Sequence, residues 1–181
     1  MNSYLKKVIF TNSLFFFADG LIIPLYALFV TQIGGNAELA GMLFGTKYVA
    51  SSISELLVMR IKDRENLSEK LVQINYLLRG LSWSSLIFFP TIPMLFIASV
   101  GIGISESIGS PAFNALMSEH LDKKKHTREW AIYNMSANLL IAAASIASGF
   151  IYSQFGFQLL FALMTFLALV SFLILRFKKT H

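Results

Sequence analysis

Six apolar blocks, each close to the thickness of a bilayer, alternate along this chain with short polar connections. They are Val8–Val30, Leu39–Met59, Lys70–Phe89, Met94–Met117, Trp130–Tyr152 and Phe157–Arg176. A spanning α-helix needs about 20 apolar residues, because the hydrocarbon core is about 30 Å thick and the helix rises about 1.5 Å per residue. Lipid offers backbone N–H and C=O groups no partner, so blocks of this length are expected to be helices, which satisfy their own. Composition agrees. Charged residues make up 14% of the 181, hydrophobic residues 55%, and mean hydropathy is +0.63. A soluble domain carries about 25% charged residues. The expected fold is an all-α polytopic membrane protein, with residues 1–181 forming one six-helix transmembrane domain.

Charge placement orients the blocks. The connections Thr31–Glu38, Pro90–Pro93 and Ser153–Gly156 contain no Lys or Arg. The opposite side collects Lys6, Lys7, Arg60, Lys62, Arg64, Lys123, Lys124, Lys125, Arg128, Lys178 and Lys179, with Lys70 and Arg176 at block ends, which is 13 of the 15 basic residues. Basic residues stay on the cytoplasmic side, so both termini are expected in the cytoplasm of a cell-membrane protein. The pI of about 9.5 therefore reflects membrane topology, and no nucleic-acid partner is expected. The loop Lys123-Lys124-Lys125 also suits anionic lipid. Lys6 and Lys7 ahead of an apolar run resemble a signal peptide, but the run is too long and lacks a small-residue cleavage pattern.

The two remaining basic residues, Lys47 and Arg79, lie inside blocks, as do Asp19 and Glu106. Each is within about two residues, or roughly 3 Å, of its block's midpoint. A charge at mid-bilayer costs about 2.5–3.5 kcal/mol on insertion scales, so two acids and two bases at one depth are expected to pair. The pairs could be static bridges, or they could line a mid-membrane cavity, where transporters place solute and coupling-ion sites. Helical spacing extends each charge into a polar stripe. The stripes are Asn12, Asp19 and Tyr26; Lys47, Ser51 and Ser54; Asn75, Arg79 and Ser82; Glu106, Ser110 and Asn114; and Asn134, Asn138 and Ser145. The sixth block has only scattered polar residues and is expected to face lipid.

Pro24 cannot donate to the carbonyl four residues back, so the Gly20 carbonyl, beside Asp19, is expected to be free. An offset of 87 then relates the chain's two halves: Asp19 to Glu106, Pro24 to Pro111, Lys47 to Asn134 and Ser51 to Asn138. With three helices per unit, the second unit (about 94–176) enters from the opposite side to the first (about 8–89). This is an inverted-topology repeat. Kinks at Pro24 and Pro111, with Gly20, are the expected gating points.

The pattern resembles one half of a major facilitator superfamily transporter. The loop between the second and third blocks is similar to that family's Gly-x-x-x-Asp-Arg-x-Gly-Arg-Arg/Lys motif through Asp63-Arg64, with Lys70 nearby; Met59, Asn66, Leu67 and Ser68 depart from it. Gly101–Met117 resembles the family's fourth helices, and Gly149 with Phe155-Gly156-Phe157 its fifth-to-sixth helix turn. The antiporter motif of the fifth helix is absent. The resemblance implies that helices one and four line a cavity, two and five meet another half, and three and six lie outside. Arg79, on the third, fits only if it reaches inward to an acid.

The expected function is secondary active transport of a small polar or amphipathic solute by a homodimeric half-size protein working by alternating access, with protons as a candidate coupling ion. The expected cavity residues are Asp19, Lys47, Arg79, Glu106, Asn134 and Asn138. The alternative is a non-transporting subunit or scaffold pairing with another six-helix chain. A third reading is a fragment of a longer chain, against which Lys178 and Lys179 argue by closing the last block on the basic side. No cysteine is present. His120, His126 and His181 lack ligand spacing, and no nucleophile–base pair or phosphate loop appears, so neither enzyme activity nor a metal or cofactor is expected.

Overall fold

The computed structural model describes residues 3–60, 65–121 and 126–177, nearly all of them helical. Helix α1 is Ser3–Ile22, a 3-10 turn covers Ile23–Leu25, and α2 is Tyr26–Gln32. Then follow α3 (Ala37–Val58), α4 (Glu65–Phe88), α5 (Ile92–His120) and α6 (His126–Phe177). Among the described residues, three runs are long and apolar enough to cross a membrane: Tyr4–Gln32, Ile92–His120 and His126–Phe177. Helices α3 and α4, expected to span as well, carry more charge, including Glu38, Lys47 and Glu55 on the one and Glu69, Lys70 and Arg79 on the other.

The last run is 52 residues, which as a straight helix would extend about 78 Å, more than twice a bilayer core. It is broken at Gly156, whose φ of 72° and ψ of −171° are not helical. Its contacts with α1 and α2 show a hairpin. Tyr133, Ser145 and Tyr152 bond Asn12, Gly20 and Gln32 in ascending order. Past Gly156 the order reverses: Phe157 meets Phe29, Ser171 bonds the Thr11 carbonyl, and the Leu175 carbonyl accepts from Lys7. The second arm therefore buries a helical stripe of Phe157, Leu160, Phe161, Met164, Ala168, Ser171 and Leu175. This corrects the expectation that the sixth block simply faces lipid. One of its sides is core, and only the other is exposed.

Helix α4 runs parallel to α1, with Tyr4 bonded to Glu69, Asn12 to Tyr76 and Asp19 to Arg79. Helix α5 runs antiparallel to α4. A methyl on Gly109 would meet Asn75, and one on Gly101 would meet Ser82. Between α2 and α3 the chain turns through Gly34, at φ 90°, and Asn36 caps α3 by accepting from the Leu39 N–H at 2.8 Å. Small residues let these backbones approach, which is how helices gain contact where hydrophobicity gives no drive.

At Gly156 no atom lies within 4 Å of where a Cβ would be, so backbone conformation and not space requires glycine. Its φ/ψ lies in a region essentially closed to other residues. Gly156→Ala is therefore expected to destabilise the protein by about 1–3 kcal/mol, read as a lowered unfolding midpoint in detergent. Gly149→Ala, in open helical surroundings, should not lower it.

Candidate functional site

Four helices bring Asp19, Arg79, Glu106 and Lys47 into one cluster. Arg79 Nη1 donates to Asp19 Oδ1 at 3.2 Å, and Arg79 Nη2 lies 3.6 Å from Glu106 Oε2. Lys47 Nζ is 2.7 Å from the same Glu106 oxygen. Glu106 is thus shared by two cations, and the four charges balance within a single chain. The cluster sits on close helix crossings. A Cβ on Gly103 would strike the Lys47 carbonyl, and one on Gly109 would strike the Asn75 side chain. At Gly20 it would lie 2.9 Å from Ala144 Cβ and 3.1 Å from Ile141 Cα. Each glycine is next to, or within a helical turn of, a cluster residue on its own helix or on the one it crosses.

Arg79 is the most enclosed of the four, its side chain 6% exposed. Besides the two acids it has aromatic cover, its Cζ lying 5.2 Å from the Phe15 ring and 6.0 Å from Trp83. Such stacking adds to the stabilisation of a desolvated guanidinium. Its Nε has no hydrogen-bond partner, nor has Asn75 Oδ1 one helical turn earlier. Arg79 therefore reaches inward from the third block, the condition under which it fits the resemblance.

Two cavities flank the cluster, and Asp19 and Arg79 line both. One, of about 340 Å³, lies toward Tyr26 and Trp83 and includes Lys47. The other, of about 200 Å³, lies toward Asn12 and includes Glu106, Ser110 and Asn114. The Asp19–Arg79 pair is thus a partition between them.

Other expected site residues fall elsewhere. Asn134 and Asn138 are exposed on the outer face of α6 and line neither cavity. The inward residue is Tyr133, whose hydroxyl accepts from Asn12 Nδ2 at 2.7 Å. Tyr76 donates to the Asn12 Oδ1 at 3.3 Å, extending a buried polar chain of which the polar stripes contained only Asn12 and neither tyrosine. One residue is about 100° of helical rotation, enough to exchange the two faces. Pro24 breaks the helix as expected, but the Gly20 carbonyl is not free: Ser145 Oγ donates to it at 3.3 Å. Gly20 is a packing glycine at the α1–α6 crossing. Helix α5 continues unbroken through Pro111. Asp63 and Arg64 lie outside the described residues.

A helical membrane bundle with paired charges between two cavities is a transporter-like arrangement, and the chain matches the Major Facilitator Superfamily over residues 8–181. The chain belongs to that family. It is 24% identical, over 152 residues, to the uncharacterized MFS-type transporter YitZ of Bacillus subtilis (strain 168), with 81% of this chain and 88% of that protein covered.

Removing one member of a buried pair leaves an uncompensated charge. Asp19→Asn is expected to cost about 3–5 kcal/mol, and Asp19→Leu combined with Arg79→Met to recover most of that. Unfolding titrations of the single and double variants in detergent check this. A double variant as unstable as Asp19→Asn would show that the pair is not what sets the cost.

Proposed function

We propose that this protein is a secondary active transporter of half-size MFS type, working as a homodimer by alternating access on a small polar or amphipathic solute, with protons as the candidate coupling ion. The observation that carries the reading is the charge cluster shared between two cavities. Glu106 faces both Lys47 and Arg79. Protonating it, or exchanging its partner, changes which cation is free, and the partition between the cavities is a pair that can separate. Asp19 and Glu106 are the candidate proton sites.

A six-helix inverted repeat with both termini in the cytoplasm accounts for several features together. The α6 hairpin supplies a fifth and a sixth span. Asp19 and Glu106, equivalent by the offset of 87, come from antiparallel helices and converge on the same arginine. The basic residues stay on one side.

Two outward faces support association of two copies. Helix α3 leaves Gly41, Gly45, Tyr48, Ser52 and Glu55 exposed, and no atom approaches the two glycines within 4 Å. The first arm of α6 exposes Asn134, Asn138, Ala142 and Gly149 along one stripe. Amides and a carboxylate facing hydrocarbon are costly, and small residues beside them allow another helix to approach. A second copy would cover both faces and close the cavities. The relative supports a half-size unit, since 152 aligned residues make up 88% of it. The rival is a subunit or scaffold in which the charges are static bridges, an idea favoured by their complete pairing within one chain.

The native chain lacks cysteine, so single-cysteine variants report contacts cleanly. Asn138→Cys is expected to crosslink into a dimer in membranes, and Phe166→Cys, on the exposed side of the second arm, is not. Purified protein in proteoliposomes should carry out pH-driven solute flux that Asp19→Asn with Glu106→Gln abolishes. Flux unaltered in that variant would remove the proton role, and no flux with any solute gradient would favour the scaffold.

A further inference from the structure

We propose that the cavity at the Tyr26 end binds an organic anion with an apolar or aromatic body, its anionic group meeting Lys47 and Arg79. This rests on the transporter reading and names the class of solute.

The two cavities share Asp19 and Arg79 and differ in their remaining walls. The charged groups lining the larger one are Asp19, Lys47 and Arg79, two cations to one anion. Those lining the smaller are Asp19, Arg79 and Glu106, one cation to two anions. The partition is thus positive on one face and negative on the other. The walls follow the same division. The larger cavity is mostly apolar and aromatic, with Tyr26, Phe44, Tyr48 and Trp83 around the charges. The smaller also has aromatics, Phe15, Phe16, Phe113 and Tyr133, but adds three amides, Asn12, Asn75 and Asn114, and is the more polar of the two. A volume of about 340 Å³ falls within the usual size of a small-molecule site. The smaller cavity, about 200 Å³, does not reach it.

Lys47 retains donor capacity, and Arg79 adds charge. An ammonium has three donors, and Glu106 occupies one side of Lys47 from behind the cavity wall. Arg79 uses Nη1 on Asp19, and its unpartnered Nε is buried, so it adds positive charge to the site more than a free donor. An incoming carboxylate therefore finds free donors on Lys47, and a second positive charge in Arg79 beside it, without stripping the acids away. An organic cation finds the reverse. Its one counter-charge, Asp19, is already engaged by Arg79, and it would sit against two like charges in a poorly solvated site. A neutral apolar solute would desolvate Lys47 and offer it nothing in return.

The test is calorimetric titration of the purified wild-type protein with 3-phenylpropionate, its neutral amide 3-phenylpropanamide and the amine 3-phenylpropylamine. The acid is expected to bind saturably and at least about tenfold more tightly than the amide, with no saturable binding of the amine. Lys47→Met should weaken acid binding by at least about tenfold, and Lys47→Arg, which keeps the charge, should retain it. Amide or amine binding as tightly as the acid, no saturable binding of the acid, or an unchanged affinity in a folded Lys47→Met would each overturn the proposal. The wild-type ranking decides the matter even if Lys47→Met fails to fold. Flux measured on the same preparation separates the two claims. Anion-selective binding without flux removes transport and leaves the site, and flux of the amine with no acid binding does the opposite.

Discussion

The guanidinium of Arg79 is the group on which the rest of this structure depends. It lies near the middle of α4, almost wholly enclosed, where solvent cannot hold its charge. Isolated there, it would be too costly to keep, so its neighbours are dictated. Asp19 comes from α1 and Glu106 from α5, and Glu106 in turn holds Lys47 of α3. Phe15 and Trp83 cover the guanidinium's faces. Four helices must therefore converge at one level, and Gly103 and Gly109 stand at two of the crossings that allow it. Charge pairing sets where the helices meet, and missing side chains allow them to.

The same convergence leaves space beside the charges. A cavity toward Tyr26 and another toward Asn12 flank that level. A membrane protein held only by apolar packing would have no reason to keep polar groups between two voids. Here the pair that lines both voids includes an arginine with a second acid close by, Glu106 at 3.6 Å. The proposed alternating-access pathway would draw on such sharing of one glutamate between two cations.

The positions where the residue pattern misleads are informative. Asn134 and Asn138 have helical spacing and polar chemistry, yet they point outward, and Tyr133 turns in to reach Asn12. Polarity marks a residue that must avoid lipid, but not whether it turns toward its own bundle or toward a partner. The sixth block is mostly apolar in composition, yet one of its sides packs on α1 and α4 while the other is exposed, because lipid and a protein core select the same residues. The proline rule found the Gly20 carbonyl, but a hydroxyl from 125 positions away fills it. Pro24 interrupts its helix and Pro111 does not, although both follow an acid by five residues.

The sequence alone determined that the chain is helical and membrane-embedded, and that four mid-block charges must be paired. Those conclusions follow from local quantities: the length of apolar runs, the placement of basic residues, and the cost of a charge in hydrocarbon. Only the tertiary structure decided which acid holds which base, which face of each helix is interior, and that the shared pair divides two cavities of opposite charge. Those depend on rotation of each helix about its axis and on distances between elements far apart in the chain. A one-residue rotation of about 100° changes both, and neither is fixed by composition or period.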